Sequence, residues 1–409
     1  MEKIKSIWII VDHPNQLATA IGLSSFINRQ KYQINLLISN HPYWEKVPRE
    51  LYQNTFDNII IFERPDYSKY PHRILKNILL IFKIKREIKQ LNFRKNDIIV
   101  GLSVFNYLEN IVLSVHKKCI KIAMMPIGVY KECNDPLSDI TCYQTIEGFI
   151  FSRLIEPFFS LHRTLYKRVR NHKEIAPRIR YQKLLTEIYD YIIVLESQKC
   201  PQSIDKVTYS MPFPYSGIKK KRILDVENKK KVIFFGVPFR NMEHGLSAEV
   251  YVPYLNQCLN FLRKFYSPEY TLIYRPHPAE VNEINLLNLE HFVVESDGLL
   301  SELYYIQNYS DIHAIFSVAS TSSRSGFFFS LPSYVFCKIF PLNETIQRCI
   351  SVDEMGDLPD SFYIKDLSLS PINYFENNAD SSDYDQCYKV MKEIFNNIEK
   401  INGSSPDLG

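Results

Sequence analysis

Ile7-Trp8-Ile9-Ile10-Val11 is a run of five large apolar residues closed by Asp12. A run with no polar alternation is what a parallel strand covered on both faces requires, and five residues is strand length rather than helix length. Working outward, residues 14 to 29 read as a helix, Ile34–Ile38 as the next strand and Ile59–Phe62 as a third. Residues 74 to 91 carry apolar side chains at helical spacing with Lys and Arg between them. Asp97–Gly101 and Lys121–Met125 follow as strands, and Tyr191–Leu195 closes the series. Strands separated by helix-length segments build βαβ units and a mostly parallel sheet.

The pattern lapses between 206 and 230, where Pro212, Pro214, Gly217 and Lys219-Lys220-Lys221-Arg222 have linker composition. It then resumes, with strands at Val232–Phe235, Thr271–Tyr274, His291–Val294, Ala314–Ser317 and Ser333–Cys337. Helices are expected over 251–265, 299–307, 321–329 and 383–401. At 409 residues the chain is long enough for two domains. We expect 1–205 as one α/β domain, 206–230 as a linker, 231–375 as a second α/β domain and 376–409 as a C-terminal helix and frayed tail.

Composition narrows the class. Hydrophobic residues make up 45% and charged residues 23%, as in an ordinary globular protein. A formal net charge of +4 with no dominant basic block does not call for a nucleic-acid partner. Two local basic patches, Lys83-Ile84-Lys85-Arg86 and the stretch 163–180, read either as solvated helix faces or as contacts for an anionic surface. The eight cysteines form no Cys-x-x-Cys pair, as expected of buried thiols in a reducing compartment. The apolar runs are too short for a leader or a span, so a cytoplasmic protein is expected, with peripheral contact to the inner membrane as an option. No metal-ligand cluster stands out, and no cofactor is expected.

In open α/β sheets, ligands bind beyond the carboxyl ends of strands. Two groups stand there in the second half. His277 is held between Pro276 and Pro278, which fix the backbone and remove two N–H donors. An imidazole so presented can bind phosphate or protonate a leaving group, and Arg275 beside it can add a bidentate phosphate contact or pair with Glu280. The second group is Ser320-Thr321-Ser322-Ser323, at a helix start. One hydroxyl serves as an N-cap; the others, with free N–H groups and the helix dipole, make an anion site.

His277-Pro278 followed by this serine cluster resembles the HP and serine motifs of bacterial sialyltransferases and polysialyltransferases, related in layout to the capsule Kdo transferases. Asp12-His13-Pro14-Asn15-Gln16-Leu17 is similar to their first strand and loop. The resemblance implies a GT-B fold, two Rossmann-like doubly wound domains facing a central cleft, with the N-terminal domain on the acceptor side. It implies an inverting, metal-independent transfer of a sialic-acid-like sugar, a nonulosonic acid or Kdo, from a CMP donor. The acceptor would be a surface glycan or glycolipid of capsule, lipooligosaccharide or O-antigen. His277 would act on the departing phosphate; Arg275, Pro278, Ser320, Thr321, Ser322 and Ser323 would hold the donor, and Gly236 would lie beside the nucleotide.

The families' acidic-acidic-Gly motif, which carries the base, has no full match. After Lys121–Met125 stands Pro126-Ile127-Gly128, so Glu147 of Glu147-Gly148 and Glu132 are the substitutes, with Asp135 nearby. Asp297-Gly298 lies in the other half. Three rival readings stand beside this one. Tyr274-Arg275-Pro276-His277-Pro278 also resembles the CDP-glycerol and CDP-ribitol phosphotransferases, although Val318-Ala319 replaces their acidic-aromatic pair before the serines. A UDP- or dTDP-sugar transferase would use an acid such as Glu302 or Glu344. A degenerate module scaffolding glycan assembly would need no base.

Overall fold

The computed structural model describes residues 5–40, 42–64, 72–102, 107–126, 188–195, 208–219, 231–237, 246–277, 280, 283–343, 359–371 and 381–403. The chain divides into two compact units, Met1–Pro214 with Asp385–Gly409, and Tyr215–Tyr384.

Unit 1 is a seven-stranded parallel sheet. In chain order its strands are β1 (Lys5–Val11), β2 (Tyr32–Asn40), β3 (Asn58–Glu63), β4 (Ile98–Gly101), β5 (Ile120–Pro126), β6 (Tyr191–Leu195) and β7 (Thr208–Met211). They lie in the order β3-β2-β1-β4-β5-β6-β7, so the strand order reverses between β1 and β4. Helices α1 (Asn15–Ser24), α2 (His72–Gln90) and α3 (Tyr107–Val115) supply crossovers. Ile7, Ile9, Ile10 and Val11 are wholly buried, the result expected for an apolar run at the centre of a parallel sheet. Each such side chain contributes about 1.5–3 kcal/mol of burial. Asp97 caps β4 instead of starting it: its buried carboxylate accepts from the backbone N–H of Ser6 (3.0 Å) and Arg94 (2.9 Å) and from Trp8 Nε1 (3.3 Å).

Gly101 ends β4 against the carboxylate of Glu109, which fills the space a Cβ would take. Glu109 is buried in the first turn of α3, and the Tyr189 hydroxyl donates to it.

Unit 2 holds a five-stranded parallel sheet of β8 (Lys231–Phe235), β9 (Thr271–Arg275), β10 (Phe292–Val294), β11 (Ile312–Ser317) and β12 (Ser333–Val335), ordered β10-β9-β8-β11-β12. Among its described residues the helices are α4 (Ser216–Lys219), α5 (Ala248–Tyr266), α6 (Ser301–Asn308) and α7 (Thr321–Phe328). Its core is aromatic: Phe234 stacks on Tyr274 and Phe336, and Phe316 stacks on Tyr334 and Phe336. Here the order reverses between β8 and β11.

Two expectations change. The stretch 206–230 is not linker throughout: Thr208–Met211 pairs in parallel with β6, and the unit boundary falls just after it, between Pro214 and Tyr215. The tail is not a separate appendage either. Helix α8 (Ser381–Gly403) belongs from Asp385 onward to unit 1, where Cys387 sits against the Pro212 carbonyl (3.5 Å) and Phe395 packs near Tyr32 (5.2 Å between ring centroids). An amphipathic helix with Cys387, Met391, Ile394 and Ile398 buried has an apolar face to cover, and the sheet of unit 1 covers it.

Candidate functional site

The residues that carry chemistry in unit 2 stand where register puts them. Phe235 of β8 is paired with Arg275 of β9 on one side and Ser317 of β11 on the other. Gly236, the turn after Arg275 and the loop after Ser317 therefore leave the same edge of the sheet, on three adjacent strands. The turns after β9 and β11 emerge two strand spacings apart, about 10 Å, with β8 between them. This edge includes the crevice where the strand order reverses.

The turn after β9 is shaped by Glu280, a residue considered from sequence only as a partner for Arg275. Its carboxylate is buried and accepts the Tyr274 hydroxyl (2.5 Å) and the His277 backbone N–H (3.1 Å). The Glu280 N–H in turn donates to the His277 carbonyl (2.8 Å). A glutamate reaching back three residues to a backbone N–H is the contact made in a helical capping box. The x-His-x-x-Glu spacing was the signal available in the sequence. The turn leaves His277 exposed at the sheet edge.

Arg275 has a different task from the one expected. Its side chain is 5% exposed, and its guanidinium donates to Glu295 (2.9 Å), twice to Asp297 (3.1 and 2.5 Å) and to the Leu299 carbonyl (3.0 Å). It also lies 3.8 Å from the Tyr304 ring centroid. Burial works against the charge, but the hydrogen bonds and charge of Asp297 raise its pKa above the ordinary arginine value. A guanidinium so engaged fastens the loop after β10 to β9. Asp297, set aside as lying in the wrong half, is its main partner, and Glu280 is not.

Gly236 is also explained from inside the protein. A Cβ there would overlap Glu280 Oε2 and lie 2.8 Å from the Tyr274 hydroxyl. The buried carboxylate leaves room here for a glycine and for no larger residue.

The serine cluster divides by depth. Ser320 is the N-cap of α7, its Oγ accepting from Ser322 N–H at 3.2 Å. Ser323 is fully buried, with its Oγ 2.7 Å from Ser317 Oγ and 3.5 Å from the Tyr334 carbonyl, so it packs the helix onto the sheet. Thr321 is exposed and Ser322 half-buried; for neither hydroxyl, nor for the Thr321 N–H, is there a hydrogen-bond partner among the described residues. The Ser322 carbonyl accepts from Tyr305 Oη (2.8 Å), which fixes the first turn. Glu302, considered as a sugar-binding acid, instead accepts from Ser325 Oγ (2.6 Å) and Ser301 Oγ (3.1 Å), joining α6 to α7. The structure thus brings the loops of His277, Thr321 and Ser322 to one edge, while Arg275 and Ser323 are buried in internal hydrogen bonds and Gly236 packs on Glu280. Pro278, Glu132, Glu147, Asp135 and Glu344 lie outside the described residues.

Unit 1 has its own strand-end group where β1 and β4 diverge. Gln16 Oε1 accepts from the N–H groups of Asp12 (2.9 Å) and His13 (3.3 Å), and its Nε2 donates to the Leu102 carbonyl (3.2 Å), tying the two loops together. Asp12 Oδ1 is buried without a hydrogen-bond partner, and Oδ2 lies 4.0 Å from Arg64 Nη2. His13 Nδ1 is 3.1 Å from Asn15 Oδ1. Among the described residues no group of three or more His, Cys, Asp or Glu is placed to hold a metal ion.

No family model matches the sequence, and no curated protein sequence matches it. Solved structures do resemble it. A putative UDP-N-acetylglucosamine 2-epimerase from Listeria monocytogenes aligns over 97% of this chain and 98% of its own, at 9% identity and a TM-score of 0.51. An α/β-galactoside α-2,3-sialyltransferase from Photobacterium phosphoreum covers 88% of this chain and 98% of its own, at 14% identity and TM-score 0.43. A UDP-N-acetylglucosamine 2-epimerase from Rickettsia bellii covers 98% of each chain, at 12% identity and TM-score 0.46. With its two parallel-sheet units, the chain has the Rossmann-like GT-B fold.

Proposed function

We propose that the chain is a glycosyltransferase that moves a sialic-acid-like sugar from a CMP donor to a glycan acceptor. The observation that carries the reading is the common row Arg275–Phe235–Ser317, from which the His277 turn and the α7 N-terminus leave on either side of β8. Thr321 and Ser322 offer two hydroxyls and a free N–H at the positive end of a helix, a setting that favours a phosphate. His277, from the neighbouring turn, donates to the same phosphate. As the bond from the anomeric carbon to the phosphate oxygen breaks, its electron pair leaves with CMP, and the imidazolium proton or hydrogen bond stabilises that charge. The acceptor hydroxyl forms the new bond to the anomeric carbon and gives its proton to a carboxylate. Glu147 and Glu132 are the choices for that base. No metal or cofactor enters this scheme.

The test is calorimetric titration with CMP, CDP, UDP and dTDP. We expect CMP to bind selectively, and His277→Ala and the Thr321→Ala/Ser322→Ala pair each to weaken it tenfold or more, about 1.4 kcal/mol. Unchanged CMP binding in both variants would remove this edge from the mechanism. A preference for CDP would indicate polyol-phosphate transfer, and a preference for UDP or dTDP another nucleotide sugar.

A further inference from the structure

Helix α2 buries Ile81, Ile84 and Ile88 in the core of unit 1. Its opposite face is exposed and has a mixed character. Leu79 and Phe82 are 62% and 54% exposed, among the largest apolar exposures in the described chain. Around them stand Lys76, Lys83, Arg86 and Lys89, all exposed, with Lys85 half-buried. Residues 79, 82, 86 and 89 recur at three- and four-residue steps, so they form one stripe along the helix. Leu79, Phe82, Lys83, Lys85, Arg86 and Lys89 line a cavity of about 580 Å³. Among the described residues the acids beside this face are Glu87, half-buried, and Glu63 of β3, which pairs with Lys83 at 3.4 Å.

Helix-dipole complementarity accounts for cations in the last turns of α2, but not for two large apolar side chains more than half exposed among them. We propose that this face docks on a lipid surface bearing anionic headgroups. Leu79 and Phe82 enter the boundary between headgroups and acyl chains, while the long Lys and Arg side chains reach outward to lipid phosphates. From Lys76 to Lys89 the stripe is about 20 Å long, enough to meet several headgroups at once. A soluble anionic glycan would use the cations and leave Leu79 and Phe82 hydrated, so the membrane fits the whole face better. Among the described residues no helix is long and apolar enough to cross a membrane, and this attachment needs none. It does not depend on the reaction proposed above.

The test is co-sedimentation of the full chain with vesicles of phosphatidylcholine alone or mixed with phosphatidylglycerol. We expect binding to the anionic vesicles only, reversed by salt. Arg86→Gln/Lys89→Gln, chosen because neither residue has an ion-pair partner among the described residues, should weaken it about 25-fold, at roughly fivefold per charge. Leu79→Ser/Phe82→Ser should weaken it comparably with every charge kept. Circular dichroism and CMP titration of both variants should match the parent and exclude misfolding. Absence of vesicle binding, or equal binding to neutral vesicles, would overturn the proposal. So would full vesicle binding by the Leu79→Ser/Phe82→Ser variant; displacement of that variant by a soluble sulfated polysaccharide would then assign the cations to a glycan.

Discussion

Gly101 in unit 1 and Gly236 in unit 2 are built alike. Gly101 ends a strand and Gly236 follows one, each beside its unit's switch point; each is packed against a buried glutamate, and each glutamate accepts a tyrosine hydroxyl, Glu109 from Tyr189 and Glu280 from Tyr274. What differs is where the acid comes from. Glu109 belongs to the first turn of α3, so its contacts tie a helix to the sheet and to Tyr189, just before β6. Glu280 belongs to the turn itself, and its second oxygen holds the backbone N–H of His277. One packing device fastens structure in unit 1 and presents a side chain in unit 2. A buried acid beside a strand-end glycine therefore does not reveal its role until its remaining hydrogen bonds are known.

Substituting the glycines should separate the two cases most sharply. Gly101→Ala and Gly236→Ala should each cost about 3 kcal/mol, since a methyl group has no room beside the carboxylate. Urea denaturation should report a similar loss for both, whereas CMP titration of the folded protein should fail only for Gly236→Ala. Normal CMP binding by that variant would dissolve the distinction.

A gentler change keeps the shape and removes the charge. Glu109→Gln and Glu280→Gln each weaken charge-assisted hydrogen bonds worth about 1.5–3 kcal/mol. We expect both to lower stability and Glu280→Gln alone to weaken CMP binding, through a loosened His277. Equal effects on binding would mean that Glu280 only packs.

The smallest effect concerns pH and is confined to unit 1. His116 stacks on Phe93 at 3.8 Å, with Nε2 3.1 Å from the Ile88 carbonyl. Burial lowers its pKa below the usual 6.5, against the opposing influence of that carbonyl and of Asp97. As pH falls through 6.5 the unfolded chain takes up the proton first, so stability declines there and levels off below the folded pKa. Denaturation as a function of pH should show this decline, and His116→Gln should flatten it. A slope unchanged in the variant would assign the decline to other groups.

Much of the fold was legible because a parallel strand buried on both faces shows itself as an apolar run. β1, β6, β8 and β11 are visible for that reason. β7, Thr-Tyr-Ser-Met, has only its two ends buried and no apolar run, so it passed for linker. The site was legible in part. The His277 turn and the serine loop were marked by their position after strands, but the partners of Arg275 were not, because 22 residues and a strand separate it from Asp297. Adjacent residues suggested a pair with Glu280; register and burial chose otherwise. The depth of Ser323 likewise follows from how α7 meets β11 and β12, which no local pattern states.

Helix α8 has a consequence for the order of assembly. In the sequence unit 2 is inserted within unit 1, which stops at Pro214 and resumes at Asp385. During synthesis the sheet of unit 1 emerges early, yet the helix that covers Tyr32, Tyr209 and Pro212 leaves the ribosome only after all of unit 2. In the interval that apolar surface is bare and open to chaperones or to a second nascent chain. Completing one half of the molecule thus waits on translation of the other.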